Sequence, residues 1–225
     1  MNGFFNKINY YSSIKTVFNL EENLSSAFAE ADIYFSRHLV ARIGLRGEYS
    51  KQLSNGNLAP RLSIAYKTSD YAQLSAAYGT FYQNPTNDFL RFDQVLNFEQ
   101  AQHFMVNYQY RKDTRSFRIE GYYKKYDQLI TGNPIDPTSG ISNSGNGYAR
   151  GFDIFFRDRG GWLKKADVWV SYSFLDTRRQ WRNYREAATP SFASRHNLSI
   201  VYKQWFPKIT SSLGVTYRFA SGRPY

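Results

Sequence analysis

The 225-residue chain contains no cysteine and only seven prolines. Without cysteine there is no disulfide framework and no Cys-ligated zinc or iron–sulfur site. No uncharged apolar run approaches the roughly 20 residues of a membrane-spanning helix, and the first residues lack the pattern of a signal peptide. No Gly/Ser-rich or single-sign charged stretch marks a linker, so residues 1–225 are interpreted as a single unit.

Aromatic and basic residues are abundant instead. The 19 tyrosines, 18 phenylalanines and 4 tryptophans argue against intrinsic disorder, because disordered chains are poor in aromatic residues. The formal net charge of +11 would suit nucleic-acid binding, but Lys and Arg recur singly along the chain rather than in clusters. No nucleic-acid partner is therefore predicted.

Apolar and polar residues alternate with a period of two along most of the chain, which predicts β-strands. Most predicted strands are about eleven residues or longer, and a tilted strand of about 9–11 residues crosses a bilayer. Short links alternate with mostly longer links that are rich in Asn, Gly, Ser, Pro and Asp, as in the turns and loops of outer-membrane barrels. Eleven strands are predicted, near residues 6–18, 23–36, 40–50, 58–68, 72–83, 98–112, 115–126, 147–158, 166–176, 196–206 and 209–220. The longer links fall at 51–57, 84–97, 127–146 and 177–195.

The alternation predicts one apolar face and one charged face. Aromatic residues near the short turns suit an interfacial girdle on a lipid-facing surface, and they are Tyr34, Phe35, Tyr66, Tyr108, Tyr110, Phe117, Trp169, Trp205 and Phe206. The charged face is predicted to be the wall of the lumen. Its cations and anions either pair across strands and hydrate the wall, or leave a positive surplus that favours an anionic solute. They include Glu30, Asp32, Arg42, Arg46, Glu48, Arg118, Glu120, Asp153, Arg157 and Arg218.

Hairpin geometry also predicts strand register. A turn of defined length determines which residues lie opposite each other. The predicted pairs are Arg118 with Gln109 and Glu120 with Asn107 across the link at 113–114, Tyr202 with Leu213 across the link at 207–208, and Glu30 with Arg46 across a three-residue turn at 37–39.

The odd strand number indicates an open sheet. Bacterial single-chain barrels are closed and even-numbered, because an open edge in lipid leaves backbone groups unpaired. The predicted fold is an all-β, antiparallel up-and-down transmembrane β-barrel, of which this chain supplies about eleven strands as a partial barrel.

Several segments together resemble the carboxyl-terminal half of the barrel of a TonB-dependent receptor of the Bacteroidetes-like kind. They are AFAEADIYFS (27–36), GLRGEYS (44–50), APRLSIAY (59–66), AYGTFYQNP (77–85), FEQAQHF (98–104), RIEGYYKKYDQL (118–129), GYARGFDIFFRD (147–158), YSFLDTRR (172–179) and ASGRPY (220–225). The resemblance implies a 22-stranded barrel in the bacterial outer membrane, closed around an amino-terminal plug. It also implies that the charged face lies toward this plug, so the surplus positive charge could instead dock the plug. It implies active uptake of a scarce ligand, such as a metal chelate, a glycan or a peptide-like molecule, with energy passed by TonB. The sequence shows no plug, TonB box or signal peptide, so TonB and the plug are predicted as partners only through the missing part.

The binding candidates lie in the predicted loop 177–195 and after the fifth strand. Guanidinium groups and aromatic faces suit carboxylated, phosphorylated or sugar ligands, although the same loop could instead contact anionic lipopolysaccharide at the outer leaflet. The candidate ligand contacts are Arg178, Arg179, Trp181, Arg182, Tyr184 and Arg185, together with Tyr82 and Asn84.

Catalytic and metal sites are not predicted. The three histidines, His38, His103 and His196, are far apart in any barrel arrangement. A Ser–His–carboxylate arrangement near His196 and Asp176 has no nucleophile motif around it, and no cofactor motif is present. The alternatives to a receptor are a passive porin-type barrel and a soluble, basic all-β module that binds nucleic acid or acidic glycan.

Overall fold

The computed structural model describes residues 4–11, 17–90, 95–135 and 140–224, with side chains from residue 22 onward. Within these ranges the chain forms one antiparallel sheet of eleven strands, and each strand pairs with the next one in sequence. The strands are β1 (Phe4–Tyr11), β2 (Val17–Tyr34), β3 (Leu39–Ser50), β4 (Asn55–Ser69), β5 (Ala72–Gln83), β6 (Glu99–Lys112), β7 (Arg115–Thr131), β8 (Ser142–Arg159), β9 (Ala166–Arg179), β10 (His196–Phe206) and β11 (Ser211–Ala220). The predicted all-β, up-and-down architecture with eleven strands is confirmed.

Two rims bound this sheet. The short-turn rim carries the connections 35–38, 70–71, 113–114, 160–165 and 207–210, the last of which contains the 3-10 helix Pro207–Ile209. The long-loop rim carries the connections 51–54, 84–98, 132–141 and 180–195, and a four-residue helix, α1 (Asn87–Leu90), lies in the second of these. The alternation of short and long connections is incomplete, because 51–54 on the long-loop rim has four residues whereas 160–165 on the short-turn rim has six.

Several strands extend further toward the long-loop rim than predicted. β2 includes residues 19–22, which lie between the first two predicted strands, and β9 continues to Arg179, three residues into the predicted loop 177–195. The Asn- and Glu-rich stretch at 19–23 resembles a turn in composition, but each of its residues has a Cα partner in β1. Polar residues are tolerated in these extensions because backbone pairing does not depend on apolar side chains.

One predicted register is correct and two are wrong. Gln109 lies opposite Arg118 and Asn107 opposite Glu120, as predicted for the two-residue link. The observed pairs in the other two hairpins are Asp32 with Arg42, Glu30 with Gly44 and Tyr202 with Val215. Both errors arise from turn length, because Tyr34 pairs with Val40 across five residues instead of three, and Phe206 pairs with Ser211 across four instead of two. Each shift is two residues, so the alternation of charged and apolar positions between the two faces is preserved.

The sheet has an apolar face with large exposed side chains and an opposite charged face. On the apolar face, Ile43 is 50% exposed, Val106 is 54% exposed and Tyr217 is 55% exposed. Three residues predicted to belong to the aromatic girdle, Tyr34, Trp169 and Trp205, lie instead on the charged face. The ring of Trp169 is 5.0 Å from the Arg157 guanidinium and 5.3 Å from the Lys203 ammonium.

A small hydrophobic core lies at the long-loop rim. Phe89 of α1, Leu96 of the following loop, Ile130 at the end of β7 and Ile141 form one buried cluster. This cluster holds the loop 84–98 against the ends of β7 and β8, and so gives the long-loop rim a defined shape above the sheet.

Candidate ligand-binding site at the long-loop rim

A row of side chains crosses the charged face just below the long loops. The cross-strand partners in this row are Phe81, Ala101, Tyr126, Gly147 and Arg179, one from each of β5 to β9. Large and small residues alternate along it, so the side chains of Phe81, Tyr126 and Arg179 have open space between them. Sheet register therefore brings together residues that lie up to about a hundred positions apart in sequence.

Gly147 makes room for the Arg179 side chain. A Cβ atom at this position would lie 2.9 Å from Cγ of Arg179 and 2.5 Å from the carbonyl oxygen of Arg178. With glycine there, Arg179 reaches across β8 to the ring of Tyr126, whose centroid is 4.1 Å from the guanidinium carbon. Arg179 Nη2 also donates a hydrogen bond of 3.0 Å to the Tyr126 hydroxyl oxygen. This cation–π contact and the hydrogen bond orient the guanidinium over the charged face.

The loop 180–195 folds back onto the end of β7. The Arg182 N–H donates to the carbonyl oxygen of Ile130 at 2.6 Å, and the Gly132 N–H donates to the carbonyl oxygen of Arg182 at 2.8 Å. The Glu99 carboxylate accepts the Ile130 N–H at 2.9 Å, and Trp181 lines the same cavity as Glu99. Backbone hydrogen bonds and one acidic side chain therefore place Trp181 and Arg182 at a defined position in the mouth of the sheet.

A cavity of about 400 Å³ lies between this row and the folded loop. Its lining combines aromatic rings with three cations and one anion: Phe81, Tyr126, Trp181, Lys124, Arg179, Arg182 and Glu99. In the described part of the chain, Nε of Arg179 is buried without a hydrogen-bond partner. A buried guanidinium N–H without a partner, beside flat aromatic surfaces and with a surplus of positive charge, suits an anionic group attached to a planar or apolar body.

The predicted ligand contacts divide into those at the cavity and those away from it. Arg179, Trp181 and Arg182 line it. Arg178 is exposed on the opposite face of β9, where it pairs with Tyr148.

Tyr82 also borders the cavity, although its side chain is on the apolar face of β5, where its hydroxyl oxygen accepts a hydrogen bond of 3.3 Å from Gln100. The other predicted contacts lie at separate places. Asn84 donates to Glu22 and to Ser50, each at 3.5 Å, away from Arg179. The Tyr184 hydroxyl accepts the Ser191 N–H at 3.5 Å, and Arg185 is exposed in the same loop. Ligand contact by any of these residues stays a prediction.

The sequence-based choice of site residues missed several that line the cavity. Phe81, Glu99, His103, Lys124 and Tyr126 lie in strands rather than in loops. The His103 ring is tilted against that of Phe81, with ring centroids 4.5 Å apart. They could have been found from the sequence because they occupy the same alternate positions as the charged residues of their strands, near the strand ends that meet the long loops.

The predicted wall residues lie on the charged face, and several form pairs. Arg42 makes a bidentate contact with Asp32 at 2.7 and 2.9 Å, and Arg157 makes one with Asp167 at 2.9 and 2.6 Å. The remaining polar contacts are Arg46 with Glu48 at 2.7 Å and Glu120 with Asn107 at 3.3 Å, while Glu30, Arg118, Asp153 and Arg218 take register positions on the same face. Ion pairing thus accounts for part of the charge on this face, and a role of the remaining positive charge in docking a plug or favouring an anionic solute stays a prediction.

The histidines and their neighbours do not form a catalytic arrangement in the described residues. Nδ1 of His196 is 2.9 Å from the Tyr172 hydroxyl, and Asp176 is 2.9 Å from Nε of Arg150. The Ser194 hydroxyl donates to the carbonyl oxygen of Ser221 at 3.0 Å. Among these residues no group of His, Asp and Glu could hold a metal ion. None of the described helices is long and apolar enough to cross a membrane.

Solved outer-membrane structures share this fold. The sheet superposes on the outer membrane transporter YddB from Escherichia coli with a TM-score of 0.75 at 14% identity, covering 93% of this chain and 34% of that one. It matches the FrpB iron transporter from Neisseria meningitidis (F3-3 variant) with a TM-score of 0.73 at 14% identity, over 90% of this chain and 33% of that one. It matches the siderophore receptor PirA from Pseudomonas aeruginosa with a TM-score of 0.69 at 12% identity, over 95% and 41% of the two chains. The chain thus spans about a third of the length of the first two and somewhat more of the third.

Sequence comparison supplies the family. No curated protein matches the chain. The family model described as TonB dependent receptor-like, beta-barrel, matches residues 2–225, which is nearly the whole sequence. The strand pattern, the two distinct faces and the alternating connections are those expected of such a barrel. The chain therefore belongs to the TonB dependent receptor-like β-barrel family.

Proposed function

We propose that this chain supplies barrel wall and ligand-contacting loops to an outer-membrane receptor that takes up a scarce ligand actively through TonB. The observation that carries the proposal is the family match over residues 2–225. Because the chain covers about a third of the FrpB transporter, uptake by the whole protein requires strands and a plug outside this chain. A closed barrel of 22 strands, gated by a plug that receives the TonB pull, is the arrangement that the family resemblance implies.

The two faces of the sheet support a location in the outer membrane. A contiguous face with side chains such as Leu45, Val106 and Phe219 about half exposed would be an aggregation hazard in water. The same face is stable against lipid, where apolar side chains lose nothing by exposure. The charged face then lines the lumen, where its ion pairs stay hydrated.

The cavity at the long-loop rim supports an anionic ligand. Lys124, Arg179 and Arg182 outnumber Glu99, whose carboxylate is already hydrogen-bonded to Ile130. Carboxylate or phosphate oxygens would satisfy the buried N–H of Arg179 and the Arg182 guanidinium. Of the ligand classes that the sequence left open, an anionic metal chelate fits this charge better than an uncharged glycan does.

Exposed arginines outside the cavity support contact with lipopolysaccharide. Arg178 is exposed on the apolar-face side of β9, near the long-loop rim, and Arg185 is exposed in the loop. With the apolar face against lipid, Arg178 would be within reach of phosphate groups of the outer leaflet, whereas Arg179 is on the charged face.

Arg178 and Arg179 are adjacent in β9 but on opposite faces, so variants of the two can be compared for ligand binding. The full-length protein that contains this chain is titrated with ferric citrate as an anionic chelate and with maltohexaose as an uncharged glycan. Binding is followed by Trp fluorescence, since Trp181 lines the cavity. Arg179→Gln should weaken ferric citrate binding by about 10-fold or more, because a hydrogen bond to a charged group contributes about 1.5–3 kcal/mol. The neighbouring variant Arg178→Gln should bind like the wild type.

Two results would contradict the proposal. Equal weakening by Arg178→Gln and Arg179→Gln would show that the cavity does not bind the anion. Uptake that continues unchanged in cells lacking TonB would instead indicate a passive porin.

A further inference from the structure

A second cavity, of about 950 Å³, opens on the outward side of the sheet at the long-loop rim. It lies at the ends of β2 to β6, where Ala27, Gly47, Leu58 and Tyr82 occupy the alternate positions that carry the apolar face. The cavity therefore opens toward the outside of the barrel, on the opposite side of the sheet from the charged face and Arg179. We call it the outer cleft.

The outer cleft exists because β4 and β5 separate there. The last pair between the two strands, on the way to the long-loop rim, is Arg61 with Gly79. In the described part of the chain, residues 55–60 of β4 then pair with β3 alone, and residues 80–83 of β5 pair with β6 alone. Pro60 is the first β4 residue beyond the last pair, and it has no N–H to donate to a neighbouring strand. Backbone edges of both strands therefore border the cleft.

Two tyrosines and a leucine form the walls of the outer cleft. On one side, Tyr49 is 52% exposed and Leu58 is 63% exposed. Tyr82 lies across the separation on β5, where its ring meets the buried ring of Phe98 edge-on with centroids 6.2 Å apart. Its hydroxyl oxygen also accepts the hydrogen bond from Gln100. The walls therefore present aromatic surfaces that are held in place at least on the Tyr82 side.

Side-chain amides make up much of the remaining lining. Nδ2 of Asn55 donates to Oδ1 of Asn97 at 2.8 Å, and the Asn97 N–H donates to Oδ1 of Asn143 at 2.7 Å, so the first two amides are fixed. Within the described ranges, the Gln128 side chain and the Tyr49 hydroxyl make no hydrogen bond to another residue. The amides that line the cleft are those of Asn55, Asn57, Asn97, Gln100 and Gln128.

The outer cleft is close to electrically neutral. Of the described residues that line it, Glu48 alone is charged, and its carboxylate pairs with Arg46 at 2.7 Å and accepts a hydrogen bond of 3.4 Å from Asn57. The cleft therefore favours neither an anion nor a cation. Amides offer donors and an acceptor to hydroxyl groups, and tyrosine rings offer an apolar face with a polar tip. Both match the hydroxyl groups and C–H faces of a saccharide.

The cleft is apolar at one end and polar at the other. Leu58 is at the end nearer the membrane core, since Leu62 and Ile64 follow it along the same side of β4. Asn55 is the first residue of β4 and lies at the long-loop rim. With the apolar face in lipid, the apolar end meets acyl chains and the amide end lies above them. A glycolipid has this same order, whereas a free saccharide would leave Leu58 without an apolar partner.

We propose that the outer cleft binds the uncharged saccharide headgroup of a glycolipid in the outer leaflet. Tyr49 and Tyr82 contact the sugar rings, Gln128 and Asn97 bond their hydroxyl groups, and an acyl chain runs along Leu58. The tyrosines then lie at headgroup depth, where aromatic residues of membrane proteins are enriched. This site rests on the outer-membrane location proposed above but not on the ligand of Arg179.

Lipid retention tests the outer cleft. The full-length protein that contains this chain is released from nanodiscs of equal parts digalactosyldiacylglycerol and phosphatidylcholine, and native mass spectrometry counts the bound lipids. The galactolipid carries no phosphate, so its retention is independent of phosphate contacts by Arg178. Wild type should retain it preferentially. Tyr49→Ala and Gln128→Ala should each lower the preference about fivefold, as expected for the loss of one neutral hydrogen bond or ring contact.

A filling variant and a matched control complete the experiment. Gly47→Phe keeps every polar group but fills the floor of the cleft, because a Cβ atom there is in ordinary contact with Cδ2 of Leu58 at 3.6 Å and the ring extends beyond it. It should remove the preference. Tyr66→Ala is the control, since Tyr66 is 50% exposed on the same side of β4 but near the short-turn rim; the preference should not change. Excess free lactose should not displace the lipid, because it has no acyl chain for Leu58.

Three outcomes would overturn the glycolipid site: equal retention of both lipids by wild type, wild-type preference in both Tyr49→Ala and Gly47→Phe, or displacement by lactose, which would indicate a site for free saccharides. These are distinguishable from failure of the proposed function. A protein that does not enter the bilayer at all contradicts the receptor proposal, whereas one that is embedded without a preference for the galactolipid contradicts only this site.

Discussion

Replacing Val106 by arginine tests whether the apolar face meets lipid. Val106 is near the middle of β6 and is 54% exposed. Its cross-strand neighbours are Ala76 and Gly121, and a Cβ atom added at Gly121 would contact nothing within 4 Å. Arginine therefore fits at position 106 without a clash. Any loss of stability then reflects the medium around this face, lipid or water, rather than disturbed packing.

Water and lipid around this face predict very different changes in the free energy of unfolding. At an exposed position in water, the substitution should change the free energy of unfolding by no more than about 0.5 kcal/mol. At the bilayer midplane an arginine on the lipid face of a barrel costs about 2–4 kcal/mol. We expect the larger value for Val106→Arg.

The adjacent residue supplies the control for this measurement. Asn107 is on the charged face and donates to Glu120 at 3.3 Å, so Asn107→Arg gains an acidic neighbour and should cost less than about 0.5 kcal/mol. The assay is equilibrium urea unfolding of the full-length protein from phosphatidylcholine vesicles. Equal values for the two variants would refute the assignment of the apolar face to lipid.

Further predictions concern the cavity and the ion pairs. Gly147→Ala should weaken ferric citrate binding about as much as Arg179→Gln does, because the added Cβ displaces the Arg179 side chain; binding at wild-type affinity would contradict this. Asp158→Asn should lower the heat-denaturation midpoint, since two N–H groups and Arg115 lose a charged acceptor. Asp32→Asn should leave the midpoint unchanged, because the Asp32–Arg42 pair is largely exposed; calorimetry showing the reverse order would refute both.

Much of the fold was predictable from the sequence because strand periodicity is a local property. Successive side chains of a strand point to opposite faces whatever the strand pairs with, so the alternation of Ile43 and Leu45 with Arg42 and Arg46 already distinguishes the two faces. The hairpin at 113–114 was also correct, because a two-residue turn leaves one register available. Where turn length was misjudged, as before Val40 and after Phe206, the register shifted by two residues.

The site was only partly predictable because its residues come from different strands. Arg179, Trp181 and Arg182 are recognisable within one short segment rich in guanidinium and aromatic groups. Phe81 and Tyr126 join them only through pairing across β5 to β9, and nothing near them in sequence indicates this. The loop's return to Ile130 is likewise a long-range contact.

The sequence by itself determined the class of fold, the two faces and the family, because these follow from alternation, strand length and local motifs. The tertiary structure decided which residues share a level of the sheet. It placed Arg178 and Tyr82 on the outward side and brought Arg179 over Tyr126 through the space left by Gly147. The physical reason is that register and loop position depend on hydrogen bonds between distant strands, whose partners are chosen only when the whole sheet assembles.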